Sequence, residues 1–147
     1  MDNDKTISTL NSLIEITNDG HKGFSNAAEH AKSPDLKAMF ASYATSCRSG
    51  ARELESLVVG LGGKPKDGGT FGGTFRRGLT DVKAATSSHT DHAILEEVEK
   101  GEDVAKKAYA DALKEDLPAN VRMVITKQNA EVIAHHDKVR DLRDALV

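Results

Sequence analysis

The sequence contains no tryptophan, and its aromatic residues are limited to four phenylalanines and two tyrosines. An apolar core in this chain must therefore be built mainly from alanine, leucine, valine and isoleucine. Cys47 is the only cysteine, which excludes an internal disulfide and favours a reducing cytoplasm. No apolar run approaches the roughly 18 residues that a membrane span requires, so we expect no membrane-embedded segment.

The chain also lacks a large excess of charge of either sign. It has 20 basic and 23 acidic side chains, for a net charge of −3. Because a nucleic-acid partner would require a clustered basic face, this balance argues against one. The start of the chain, Met1–Asp4, is acidic and has no apolar segment, so no signal peptide is expected. We predict one cytoplasmic domain over residues 1–147.

Four long stretches carry apolar residues at three- and four-residue steps, which predicts four amphipathic α-helices. Ser33 and Pro34 predict a sharp stop and restart between the first two helices, and Gly62 with Gly63 predicts the end of the second. Pro118 is placed in the first turn of the last helix. The predicted helices cover about Lys5–Lys32, Pro34–Leu61, Asp91–Lys114 and Leu117–Val147.

The connections between these helices are short, long and short. Residues 64–73 contain one proline and four glycines and are typical of a linker. Thr74–Ala85 predicts a short extra helix within the same connection. A long second connection is typical of a four-helix bundle with one crossover, as in ferritin-like folds. The predicted fold class is therefore an all-α, ferritin-like four-helix bundle with a long crossover and a short extra helix between helices 2 and 3.

Polar residues interrupt the apolar faces of these helices. If the helices pack antiparallel around the two short turns, several of these residues fall in one layer at mid-bundle. Because a buried polar side chain is costly unless it is paired, they must be hydrogen-bonded, ion-paired or metal-bound. Histidine, cysteine and glutamate together also suit zinc or iron. The candidates for this layer are His21, Cys47, Glu102, Gln128 and either His135 or His136, with Glu99 on the inward edge.

Several short motifs spread over nearly the whole chain carry a resemblance to a known family. They are Leu13–Ile16, Asp19–Phe24, Gly62–Pro65, His92–Glu97, Glu99–Asp103 and His136–Leu142. With these motifs the chain resembles a family of small bacterial ferritin-like proteins of unknown function. The resemblance implies the fold more directly than it implies an activity.

Rubrerythrins, in the wider ferritin-like superfamily, provide a comparison for the site. Their di-iron centre takes a Glu from the first helix, a Glu-x-x-His from the second and the fourth, and a Glu from the third. In this sequence His21 stands at the first carboxylate position, and residues 47–50 lack both ligands of the second helix. Glu102 and His136 match ligand positions, but Ile133 stands where the fourth-helix glutamate would be.

The matched positions supply too few carboxylates for two irons. Ala105 occupies the position of the additional third-helix glutamate, so one carboxylate and two histidines remain. A di-iron centre needs about four carboxylates and two histidines. The resemblance therefore implies a non-enzymatic bundle with a degenerate di-iron site, no required cofactor and a structural or stress-associated role, as a homodimer.

Two alternatives stay open. In the first, the chain is a metal-binding protein or an oxidoreductase in which His21, Glu102 and His136 hold one iron or zinc ion, with Cys47 or water as the fourth ligand. In the second, the chain is a helical module that binds a protein partner. Phe71 and Phe75, in and beside the glycine-rich crossover, indicate the surface for such a partner.

Overall fold

The computed structural model describes residues 3–66 and 90–146. In these residues the chain forms α-helices and no strand, as the all-α prediction expects. The short helix predicted at Thr74–Ala85 and the aromatic residues Phe71 and Phe75 lie outside the described residues. No helix in the described part of the chain has the length and apolarity that a membrane crossing requires. The helices are α1 (Asn3–His30), α2 (Pro34–Gly60), α3 (Asp91–Ala112) and α4 (Ala119–Ala145).

The predicted start and stop signals account for the ends of α2. Ser33 is its N-cap, with its hydroxyl accepting from Leu36 N at 3.3 Å, and Pro34 occupies the first turn. At the other end Gly62 adopts a φ of +84°, the left-handed conformation that favours glycine. Gly63 N then donates to Val58 O at 2.9 Å, which closes the helix end.

The directions of the helices establish the predicted crossover. Lys5 Nζ lies 3.1 Å from Glu115 Oε2, whereas Lys32 N donates to Asp91 Oδ1 at 2.7 Å, so α1 and α3 run antiparallel. Since α2 also starts beside Lys32, α2 and α3 are parallel. The end of α2 and the start of α3 therefore lie at opposite ends of the bundle, about 40 Å apart at 1.5 Å per residue of α2.

The first residues of this crossover run along α1. A Cβ atom on Gly63 would lie 2.8 Å from Ile7 Cδ1, so the backbone approaches α1 closely at this point. Asn11 follows one turn further along α1, donating to Lys64 O at 3.2 Å and accepting from Lys66 N at 3.0 Å. The chain thus leaves the end of α2 and turns back beside α1.

Two clusters of buried apolar residues hold the described helices together. The lower cluster lies at the α1–α2 turn, and the upper cluster lies at the α3–α4 turn. Between them the interior is polar. The lower cluster comprises Phe24, Ala27, Ala31, Leu36, Phe40, Ala44, Ile94, Leu95, Val98 and Val139. The upper cluster comprises Leu10, Leu13, Ile14, Leu54, Val58, Tyr109, Ala112, Leu117, Val121 and Ile125.

Asp91, at the start of α3, forms hydrogen bonds with the α1–α2 turn. Its carboxylate accepts from Lys32 N at 2.7 Å and from Ser33 N at 3.0 Å. We expect Asp91→Ala to lower the free energy of unfolding by about 1–2 kcal/mol, because two backbone donors lose a charged acceptor. Urea denaturation measures the change, with the exposed Glu29→Ala as the control. Equal effects of the two substitutions would contradict a role for Asp91 in this connection.

Candidate functional site

A chain of hydrogen bonds crosses the polar layer between the two apolar clusters. The Tyr109 hydroxyl donates to Gln128 Oε1 at 2.7 Å and lies 3.1 Å from the Thr17 hydroxyl. Gln128 Nε2 donates to Glu53 Oε1 at 2.9 Å, and Lys127 Nζ donates to Glu53 Oε2 at 2.9 Å. Every described helix contributes a residue, so this network fixes the helices relative to one another.

Gln128 forms hydrogen bonds through both ends of its amide. Besides Glu53, its Nε2 atom reaches Gly50 O at 3.2 Å. A Cβ atom on Gly50 would lie 3.4 Å from that nitrogen, so glycine leaves room for the amide. Burial raises the pKa of Glu53, but hydrogen bonds from Gln128 and Lys127 outweigh it, and the pKa lies below its ordinary value. Burial raises the pKa of Tyr109, which keeps its hydroxyl a donor.

Gln128 and Tyr109, the two central residues of this network, should be energetically coupled in their effects on stability. We expect Gln128→Leu to lower the free energy of unfolding by about 1–3 kcal/mol, because the buried Tyr109 hydroxyl loses its acceptor. Tyr109→Phe leaves Gln128 Oε1 without its donor. The double variant should therefore cost less than the sum of the two single variants, by at least about 0.5 kcal/mol. Strict additivity in urea denaturation would show that the two side chains are not coupled.

A cavity of about 50 Å³ lies beside this network, and Glu102, Cys47 and His135 contribute to its wall. Glu102 is only 4% exposed, and its Oε1 atom is buried without a hydrogen-bond partner among the described residues. Burial, followed by the nearby carboxylates of Glu99 and Asp103, raises the pKa of Glu102 to about 9. Glu102 is therefore an uncharged carboxylic acid at neutral pH.

Two further titratable groups of this wall, Cys47 and His135, are also uncharged at neutral pH, and the acidic side chain of Glu131 lines the cavity as well. Burial raises the pKa of Cys47 to about 12, so the side chain is a thiol rather than a nucleophilic thiolate. Burial lowers the pKa of His135. The His135 ring stacks on Tyr43 with centroids 3.8 Å apart and meets Phe24 edge-on at 6.5 Å. These contacts fix the orientation of the imidazole.

His21 and His136 have partners outside this cavity wall. His21 Nδ1 donates to Ala44 O at 2.9 Å, which occupies one ring nitrogen with a main-chain carbonyl. His136 Nε2 lies 2.7 Å from Asp103 Oδ1, and its Nδ1 lies 3.2 Å from Asp137 Oδ1. The structure therefore places each of these histidines in a separate polar contact.

Glu99, predicted on the inward edge of the third helix, belongs to the surroundings of His136. Its Oε2 lies 3.5 Å from His136 Nε2, and its Oε1 accepts from Arg143. The Glu99 side chain is 12% exposed. Glu99 thus pairs with the cationic Arg143 beside the cavity wall, and its negative charge contributes to the raised pKa of Glu102.

The structure brings together only part of the predicted mid-bundle set. Cys47, Glu102, Gln128 and His135 line one cavity. The sequence left either His135 or His136 for this layer and chose His136 as the ligand. Because consecutive helical residues point about 100° apart, His135 lines the cavity, whereas His136 contacts Asp103. Within residues 3–66 and 90–146, no group of three or more His, Cys, Asp or Glu side chains could hold a metal ion.

Sequence reasoning missed three members of the polar layer: Thr17, Glu53 and Tyr109. Thr17 continues the three- and four-residue apolar periodicity of α1, and the Glu53 side chain is 36% exposed, so neither position signals a buried polar partner. A signal was present in Tyr109, because a buried tyrosine hydroxyl requires a partner and Gln128 is a polar residue in the facing stripe.

Comparison with known proteins places these observations in a family. The sequence matches the family described as a domain of unknown function (DUF2383) over residues 5–115, and the chain belongs to that family. A solved structure of a Dps1 mutant from Mycobacterium smegmatis is similar, with a TM-score of 0.76 and 16% identity over 96% of each chain. At this identity the likeness establishes the fold alone, a ferritin-like four-helix bundle. No curated protein matches the sequence.

Proposed function

We propose that this chain is a non-enzymatic ferritin-like bundle whose di-iron site is degenerate, with a structural or stress-associated role. The protonation state of Glu102 is the main observation that supports the proposal. This residue is the one carboxylate retained at a ligand position matched to the rubrerythrins, and its pKa is raised to about 9. A carboxyl group that stays protonated at neutral pH in the absence of metal is poorly prepared to bind iron.

The other matched positions support the same proposal. Ala105 lines the cavity and Ile133 is 39% exposed, and neither side chain offers a metal ligand. His21 and His136 are engaged with Ala44 O and with Asp103. Two irons need about four carboxylates from the bundle core, and Glu102 is the one carboxylate at the matched ligand positions.

Metal analysis of protein purified without an affinity tag tests the proposal. We expect iron well below one ion per chain after incubation with ferrous iron and removal of the excess. We also expect no oxidation of ferrous iron by oxygen or peroxide above the rate in buffer, with a di-iron ferritin as the positive control. Retention of about two irons per chain together with turnover would overturn the proposal.

A single-metal site is the second candidate, favoured by the unpaired Glu102 Oε1 in a cavity that Cys47 also lines. In that case His21 and His136 would leave their partners and join Glu102 around one iron or zinc ion. Titration with zinc distinguishes the candidates. Stoichiometric uptake that is lost in His21→Ala would support the metal site, whereas a loss of stability alone would make His21 structural.

We further propose that the chain is a cytoplasmic homodimer. Val59 and Met123 support self-association, because they lie at the same end of α2 and α4 and are 61% and 70% exposed. Sedimentation velocity at micromolar concentration measures the association state. A Met123→Lys variant should shift a dimer towards monomer, and a wild-type chain that is already monomeric would contradict this proposal.

A further inference from the structure

The cavity beside Glu102 has room for more than a single water molecule. Its volume is about 50 Å³. One water needs about 10–15 Å³ on the same scale, so the space suits about three or four non-hydrogen atoms. Ile16, Phe24 and Val132 form part of its wall, so a small occupant would meet apolar surface on those sides.

Among the described residues, one buried side-chain oxygen in this wall lacks a hydrogen-bond partner. Gln128 and Tyr109 also line the cavity, but both are already hydrogen-bonded within the polar layer. This side-chain oxygen is Glu102 Oε1, and Glu102 as a whole is only 4% exposed. A buried polar atom without a partner is costly, so a molecule that hydrogen-bonds to Glu102 would gain affinity.

The surroundings of the cavity favour an uncharged occupant over an anion. The acidic side chain of Glu131 lies in the wall, and Glu99 and Asp103 lie close enough to act on Glu102. The apolar side chains of the wall make the burial of any ion costly. Because a carboxyl oxygen accepts hydrogen bonds, an uncharged donor is the match for Glu102 Oε1.

A surface groove gives access to the cavity. The groove lies between α2 and α4, has a volume of about 330 Å³ and is lined by polar side chains such as Thr45 and Ser49. It shares Ser46, Gly50, Gln128 and Glu131 with the cavity wall. A small molecule could therefore enter between these two helices with little rearrangement.

We propose that the cavity beside Glu102 binds an uncharged molecule of about three or four non-hydrogen atoms whose polar group donates a hydrogen bond to Glu102 Oε1. Short amides and short alcohols belong to this class. For a ligand of this size the dissociation constant cannot fall much below about 40 μM, and we expect a millimolar value.

An NMR titration with acetamide tests the proposal, with acetate as a charged molecule of the same shape. We expect acetamide to shift the backbone amide signals of Cys47, Glu102 and Ala105 in a saturable manner at neutral pH. Acetate at the same concentrations should give no saturable change. A linear response to acetamide, equal saturation by acetate, or a cavity that exchanges only water would each overturn the proposal.

Two variants locate the binding. Ala105→Leu fills the cavity and should abolish the saturable shifts, whereas Ala110→Leu, exposed on the same helix, should leave them unchanged. Glu102→Leu keeps the site apolar but removes the hydrogen-bonding group, and it should weaken binding at least about tenfold. If Ala105→Leu fails to fold, Glu102→Leu decides the question, and unchanged binding in that variant contradicts the proposal.

Discussion

Glu102→Gln is expected to raise the free energy of unfolding at pH 7 by about 3 kcal/mol. Glutamine keeps the size of the protonated acid but cannot ionise. The pKa of Glu102 is raised from 4.5 to about 9 in the folded chain, first by burial and then by the charge of Glu99. At pH 7 the unfolded chain carries an ionised, solvated Glu102, so folding must supply a proton, and the variant avoids that cost.

The proton bound by Glu102 in the folded chain also determines the direction in which the free energy of unfolding changes with pH. Between pH 4.5 and about 9 the folded chain binds the Glu102 proton and the unfolded chain does not. The stability contributed by this group is therefore complete below pH 4.5 and is lost as the pH rises towards 9. Urea denaturation at about pH 5, 7 and 9 measures this, and the difference between Glu102→Gln and the wild type should grow with pH. The exposed Glu29→Gln provides the control, and a constant difference would contradict the linkage.

Phe40→Ala is expected to lower the free energy of unfolding by about 3–5 kcal/mol. Phe40 is fully buried in the lower cluster, and its ring stacks with Phe24 at a centroid distance of 6.3 Å. The substitution leaves a large void among tightly packed side chains. Cys47→Ala should cost only about 1 kcal/mol, because Cys47 already borders a cavity.

The comparison between these two variants tests where the stability of the bundle originates. If the apolar clusters supply most of it, thermal or urea denaturation will show a much larger loss for Phe40→Ala than for Cys47→Ala. Equal losses would mean that the polar middle layer contributes as much as the clusters, contrary to the packing seen in the fold.

The helices and their ends were predictable because their determinants are local. Apolar periodicity gave each described helix, and Ser33, Pro34 and Gly62 marked two helix ends through capping and backbone conformation. The crossover followed from the length of the second connection. Its direction became certain only through long-range contacts, such as that of Asp91 with the α1–α2 turn.

The membership of the polar layer was predictable only in part. Glu102 and Gln128 were expected inside because they interrupt apolar stripes, and both are buried. The choice between His135 and His136 depends on the rotation of α4 by a single residue, which periodicity does not resolve. Glu53 was missed because its carboxylate reaches Gln128 from the edge of α2.

The electrostatic state of the layer was not predictable from the sequence. The pKa of Glu102 depends on its depth of burial and on the carboxylates of Glu99, Asp103 and Asp137 around it. Those distances are set by helix packing rather than by sequence spacing. The sequence therefore indicated which carboxyl group lies inside, and the structure was needed to assign its charge.

A carboxyl-resolved NMR titration of Glu102, with and without ferrous iron under anaerobic conditions, examines the middle layer most directly. A bundle that has lost its di-iron chemistry should give a midpoint near pH 9 that iron leaves unchanged. A midpoint near the ordinary value of 4.5, or one that iron drives sharply downwards, would show instead a charged carboxylate ready to bind metal.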